Sequence, residues 1–303
     1  MKIVITGGTG LIGGAFIEAV RADHEVVVVS RSARPAADGI RFVEGDPTQP
    51  GAWQGELETA DAVVNLAGKP ILCRWTERTK VQLRASRVES TRLIAEALAK
   101  HPARADGSPK ILLSGSAIGF YGFTGDEELT EETPAATGFL PELAVEWEAA
   151  ARPAASAGVR VVYVRTGVVL AKEGGALPQL LTPFKLYLGG PVSSGSQWMS
   201  WIHIRDVANL LKFCLLNDVS GPVNFTAPEP QKNWGFCRTL GDVLHRPSWL
   251  RVPAFALRLL YGEAAVVVVK GQKVLPKAAL RAGYRFEFND LKPALEDLLG
   301  KRA

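Results

Sequence analysis

A chain of 303 residues with 47% hydrophobic and 22% charged residues has an ordinary globular composition, long enough to bury a core without disulfides or metals. The 35 Lys+Arg against 31 Asp+Glu leave a net charge of +4, but the basic residues are scattered rather than gathered on one face, so nucleic-acid binding is not expected. The longest apolar runs, such as Val26 to Val29 and Ala264 to Val269, are far below the ~20 residues that cross a bilayer, so no membrane partner is expected either.

The chain opens directly on a strand-like run, Lys2 to Thr6, with no signal-peptide pattern. Further strands are predicted at Glu25 to Ser30, Ile40 to Glu44, Ala62 to Leu66, Lys110 to Ser114 and Val159 to Val164. Continuous apolar runs of this kind suit strands covered on both faces, as in a parallel sheet. Between the fourth and fifth runs, Val81, Ala85, Val88, Thr91, Ala95 and Leu98 recur at helical spacing. After Leu170 the alternation breaks into a long Gly- and Pro-rich stretch. Within it Phe184, Tyr187, Trp198, Met199 and Trp201 suggest either a mobile aromatic flap or glue between two lobes. Asp206 is expected to cap a helix through Leu216, and Val223 to Thr226 to return to the sheet. A last short helix is expected over Leu291 to Leu299, entered from Asn289 and stopped by Gly300. The architecture expected is α/β, a Rossmann-type doubly wound parallel sheet with a smaller, interrupted C-terminal substrate lobe. Residues 1–170 form the nucleotide-binding domain in this division, with 197–226 returning to it, and 171–303 form the second lobe.

The turn after the first strand carries the chemistry. Gly7, Gly8, Thr9, Gly10, Leu11, Ile12 and Gly13 join strand to helix in the manner of a dinucleotide-binding fingerprint. The glycines permit a tight turn, close approach to a pyrophosphate and close helix–strand packing. The helix N-terminus offers free N–H groups to the phosphates. The second strand ends Ser30-Arg31-Ser32 without a carboxylate, and the planar fork of Arg31 suits the 2′-phosphate of NADP. The three cysteines, Cys73, Cys214 and Cys237, have no CxxC spacing, and the four histidines are dispersed. Free thiols, no metal site and a cytoplasmic setting are therefore expected.

These motifs resemble the extended branch of the short-chain dehydrogenase/reductase superfamily. The resemblance rests on the TGGTGLIGG turn, Asn65-Leu66-Ala67-Gly68, Ser114-Gly115-Ser116-Ala117, and Gly195-Ser196-Gln197 leading into Trp201-Ile202-His203. The segments from Val252-Pro253 to Gly283-Tyr284-Arg285-Phe286 resemble the C-terminal region of its "epimerase family protein" subgroup. The resemblance implies that Leu66, Ala67, Gly68, Ser114 and Arg165 contact the cofactor and that Ser116 orients a substrate oxygen. It also implies a Tyr-x-x-x-Lys pair in the segment Gly138 to Glu148. No tyrosine lies between Tyr121 and Tyr163, and no lysine between Lys110 and Lys172, so the pair is absent. Tyr121 is the alternative proton donor, and Arg87 faces either the crevice or solvent. In the position where sugar-nucleotide epimerases carry a diphosphate-gripping arginine stands Met199. Three functions remain open: an NADP-dependent oxidoreductase on a small carbonyl or alcohol, a non-catalytic NADP-binding redox sensor, and a nucleotide-sugar epimerase. A small-molecule substrate and a monomer or homodimer are expected.

Overall fold

In the computed structural model, which describes residues 1–36 and 39–300, seven strands form one sheet. They are β1 (Lys2–Thr6), β2 (Glu25–Ser30), β3 (Ile40–Glu44), β4 (Ala62–Asn65), β5 (Ile111–Ala117), β6 (Arg160–Thr166) and β7 (Gly221–Phe225), in the order β7-β6-β5-β4-β1-β2-β3. Every neighbouring pair is parallel. The chain winds outward from β1 in both directions, so the carboxyl ends of β1 and β4 flank the switch point where such sheets bind ligands.

Alternation along each strand explains the two cores. Ile3, Ile5, Val26 and Val28 face one side, packed by Phe16, Ile17 and Val20 of α1 (Leu11–Val20). Val4, Val27 and Val63 face the other, against Ile94, Ala95 and Leu98 of α2 (Glu77–Lys100). With both faces covered, alternating polar positions disappear and the strands read as unbroken apolar runs. β5 and β6 run further than their apolar cores predict, through Ala117 and Thr166. Their ladder continues past Ser114 to pair Ser116 with Arg165 and Ala117 with Thr166, carrying polar side chains to the carboxyl edge. After β5 comes α3 (Phe139–Ala149).

The Gly- and Pro-rich stretch is more regular than its composition suggests. Leu177–Lys185 forms a helix, α4, with Pro178 in the first turn, where its missing N–H costs nothing. Leu177, Leu181 and Phe184 lie on its buried face. They pack with Trp201, Phe236 and Leu295 into a third core. Phe184 and Trp201 are thus core residues, while Tyr187 is exposed.

Asp206 does not cap α5 (Ile204–Leu216). His203 does, its Nδ1 accepting from the Arg205 amide at 3.1 Å. Asp206 is fully buried in the first turn and ties down the C-terminal segment instead. Its Oδ1 accepts from the Glu287 amide at 2.8 Å and the Tyr284 hydroxyl at 3.1 Å, and its Oδ2 from the Phe288 amide at 3.0 Å. The final helix, Leu291–Leu299, starts from Asp290 and ends at Gly300. A second strap crosses the sheet edge, where Ser200 Oγ donates to the Gln272 carbonyl and accepts from the Val274 amide. No helix among the described residues is long and apolar enough to cross a membrane.

Replacing Asp206 with Ala strands the buried Phe288 amide and Tyr284 hydroxyl, each worth roughly 1–3 kcal/mol when unpaired, and frees the part-buried Glu287 amide. Urea unfolding should show a loss of about 3 kcal/mol or more, whereas an unchanged midpoint would remove Asp206 from the anchoring role. A pH effect follows from His203, which stacks on Phe288 at 4.0 Å with its Nε2 3.3 Å from Asp297 Oδ2. Burial holds its pKa down to about 4 from the ordinary 6.5, against the opposing pull of Asp297. The folded state favours the neutral ring, so its contribution is complete above pH 6.5 and is lost as pH falls toward 4. Melting temperature should decline over that window, and His203→Gln should flatten the decline.

Candidate functional site

The site begins where the chain leaves β1. Gly7 turns with φ +73°, and a Cβ there would stand 2.6 Å from the Leu66 carbonyl group. Gly13 presses α1 onto the same turn, because a Cβ on it would lie 2.4 Å from the Gly7 oxygen. Gly10 differs. It is exposed, its φ is −85°, and a Cβ would meet only the Gly7 oxygen, at 3.2 Å. No side chain caps α1, and no acidic residue occupies its first turn. The N-terminal amides around Leu11, Ile12 and Gly13 therefore face an open notch beside Thr9 and Gly10, and the dipole favours an anion there.

At the end of β2, Ser30 Oγ accepts from the Ser32 amide at 3.4 Å. Arg31 is exposed, with no hydrogen bond or ion pair of its side chain found among the described residues. A guanidinium at this place is available to a ligand phosphate.

The end of β4 is fixed by Asn65, which is fully buried. Its Oδ1 accepts from the Thr6 hydroxyl at 2.6 Å and the Ala67 amide at 3.3 Å. Its Nδ2 donates to Thr91 Oγ1 at 2.8 Å, which also accepts from Trp147 Nε1 at 2.9 Å. These bonds set the path of Leu66, Ala67 and Gly68 beside the glycine turn. Against Gly68 lies Arg87, whose guanidinium carbon would sit 3.4 Å from a Cβ on that glycine. Arg87 turns inward rather than to solvent, donating to the carbonyls of Lys69 at 2.8 Å and Leu83 at 3.1 Å. It lies 5.2 Å over the Trp147 ring. Burial pulls its pKa down to about 10.

The end of β5 carries a charged network. Ser116 Oγ donates to Glu148 Oε1 at 2.7 Å. Arg165 grips the same carboxylate with two parallel bonds of 2.8 Å, and its third nitrogen donates to the Tyr121 hydroxyl at 2.9 Å. Burial opposes charge on Arg165, but the Glu148 carboxylate outweighs it and raises the pKa. Ser114 Oγ is buried with no hydrogen-bond partner among the described residues. Tyr121 is placed differently from a proton donor. It is 1% exposed, its hydroxyl donates to Asn224 Oδ1 at 2.7 Å, and burial raises its pKa despite the neighbouring Arg165. Its one proton is already committed to the packing of β7 against this edge.

The structure thus brings Ser116 and Arg165 together through Glu148, which the sequence motifs do not single out. The available signal was its position in α3, at the end of the segment where the resemblance expects a lysine. No cluster of His, Cys, Asp or Glu suited to a metal ion occurs among the described residues.

Known proteins resemble the chain over nearly its whole length. Residues 3–225 match the model of the NAD dependent epimerase/dehydratase family, and residues 252–298 match a domain of unknown function, DUF1731. The chain is 40% identical to the chloroplastic epimerase family protein SDR39U1 homolog of Arabidopsis thaliana, over 99% of this chain and 87% of that one. The crystal structure of human epimerase family protein SDR39U1 with NADPH superposes with a TM-score of 0.86 at 35% identity, covering 98% and 99% of the two chains. A Corynebacterium glutamicum structure described as a nucleoside-diphosphate sugar epimerase gives 0.80 at 32% identity, over 99% of this chain but 58% of that one.

The two glycines should separate binding from folding. Gly10→Val fills the open notch, so dinucleotide binding should be lost while the circular dichroism spectrum and melting temperature hold. Gly13→Val forces backbone against backbone and should lower stability by about 3 kcal/mol. Tight dinucleotide binding by Gly10→Val would show that the notch is not the phosphate cradle.

Proposed function

The chain belongs to the NAD dependent epimerase/dehydratase family, and from that premise we propose that it is an NADP-dependent oxidoreductase acting on a small carbonyl or alcohol. The observation that carries this reading is the Ser116–Glu148 hydrogen bond at the carboxyl edge of the sheet. It supplies a proton path where the superfamily's tyrosine and lysine are missing. NADPH held at the glycine turn by the α1 amides and Arg31 would supply the hydride. The exposed Arg31 supports NADP over NAD, as does the NADPH bound to the human relative.

In the alcohol-oxidising direction, the substrate O–H donates to Ser116 Oγ as the Ser116 proton moves to Glu148, and the hydride on the carbinol carbon would pass to bound NADP⁺. In reduction the proton travels back, from Glu148 through Ser116 to the substrate oxygen. Arg165 holds the carboxylate in place and keeps its two oxygens oriented. This path uses no proton from Tyr121.

The missing Tyr-x-x-x-Lys pair favours a second reading, a protein that binds NADP and senses its redox state without turnover. Sugar-nucleotide epimerisation, the activity printed for the Corynebacterium relative, has less support. Met199 receives an amide hydrogen from Asn233 at 3.2 Å and offers no charge to a diphosphate. The same proposal places the protein in the cytoplasm as a monomer or homodimer.

Three variants test the reading when nicotinamide absorbance is followed across a panel of small aldehydes and ketones. Arg31→Ala should weaken NADPH roughly tenfold or more while sparing NADH. Ser116→Ala should cut kcat about a hundredfold with little change in NADPH affinity. Glu148→Gln should cut kcat comparably and also lower stability, since it leaves Arg165 charged and buried. Absence of turnover in the wild type across the panel would favour the sensor.

A further inference from the structure

The oxidoreductase reading leaves one charged group in the crevice without a task. Arg87 is a half-buried guanidinium that no carboxylate pairs with among the described residues. Its partners are two carbonyls and the Ser86 hydroxyl, all neutral. Nε and one hydrogen of Nη2 have no acceptor among the described residues.

The position of this cation is defined by a chain of contacts. Arg87 lies over the Trp147 ring, 5.2 Å from its centre. The far edge of the same indole packs on Gly115, where a Cβ would come within 2.6 Å of it. Gly115 stands between Ser114 and Ser116, and Glu148 follows Trp147 directly on α3. Trp147 therefore links the two groups, one edge against the residue beside the proton-handling serine and its face under an uncompensated cation. Its own N–H is occupied by Thr91, which locks the ring and hence the separation of the two groups. Gly68 opens the approach, since any side chain there would cover the guanidinium.

A desolvated guanidinium with free donors and no counter-ion is a site for an anion. The phosphates of a dinucleotide already have the α1 N-terminus and Arg31. We propose that the substrate is an oxo acid or its hydroxy-acid partner, and that Arg87 binds its carboxylate while Ser116 holds the reacting oxygen. This inference rests on the oxidoreductase reading for the fate of the oxygen, but the anion site does not.

The test uses the full-length protein with straight-chain 2-, 3- and 4-oxo acids and their methyl esters. Binding to the NADP⁺ complex is measured by calorimetry, where no hydride is available and no turnover intervenes. The best acid should bind at least about tenfold more tightly than its ester. Arg87→Met should erase that difference with NADPH affinity unchanged, while the circular dichroism spectrum remains that of a folded protein. Arg87→Lys, which keeps the charge but not the fork, should restore part of it. Equal binding of acids and esters by the wild type overturns the proposal. So does a loss of NADPH affinity in both variants that matches the loss of acid binding, because Arg87 then serves the cofactor. Arg87-dependent binding of acids without any NADPH oxidation keeps the anion site and sinks the oxidoreductase reading instead.

Discussion

The buried ion pair between Arg165 and Glu148 organises the carboxyl edge of the sheet. It joins β6 to α3, and through hydrogen bonds it reaches Ser116 on β5, Tyr121 in the following turn and Asn224 on β7. The two side chains are 5% and 12% exposed, so neither charge is tolerable alone. Removing one partner of such a pair costs about 3–5 kcal/mol, because the other is left desolvated. The two parallel bonds also fix orientation, which a single contact would leave free. A site built on this pair holds its serine in one place, and the Tyr121 hydroxyl is drawn into the same packing.

A different constraint governs the opposite side of the crevice. There the backbone approaches itself so closely that Gly7 and Gly13 leave no room for a Cβ, while a Cβ on the exposed Gly10 would meet only the Gly7 oxygen, at 3.2 Å. Turn, strand and helix are thereby locked, and the amides at the start of α1 are left without a side-chain cap. The crevice thus has a rigid anion-attracting wall made of backbone and a second wall made of side-chain charge. Asn65 links the two, bonded to Thr6 on β1 and, through Thr91, to Trp147 on α3.

The C-terminal segment completes this arrangement rather than standing apart from it. Asp206 collects two amides and a hydroxyl from residues 284–288. Gln272 donates to the Ile118 carbonyl, and Asn224 donates to the Leu275 carbonyl. The same Asn224 accepts from Tyr121, so the strap and the charged network share a residue.

Much of this was legible in the sequence because it depends on local rules. Strands buried on both faces must be apolar throughout, and β1, β2 and β4 fall where such runs lie. The glycine turn is legible because φ near +73° at Gly7 and close backbone approach admit no other residue. What the sequence could not decide is which polar side chains meet. Glu148 looks like any helical glutamate until α3 is laid beside β5 and β6. Arg87 could turn either way until Trp147 and the Lys69 carbonyl give it a resting place. Phe184 and Trp201 read equally as flap or as glue between lobes until a third core claims them. His203 takes the cap for which Asp206 was the better local candidate, because the buried carboxylate is needed by amides some eighty positions away. Backbone geometry and burial period are properties of neighbouring residues. Charge pairing and core membership are settled between distant segments, and only their packing together decides them.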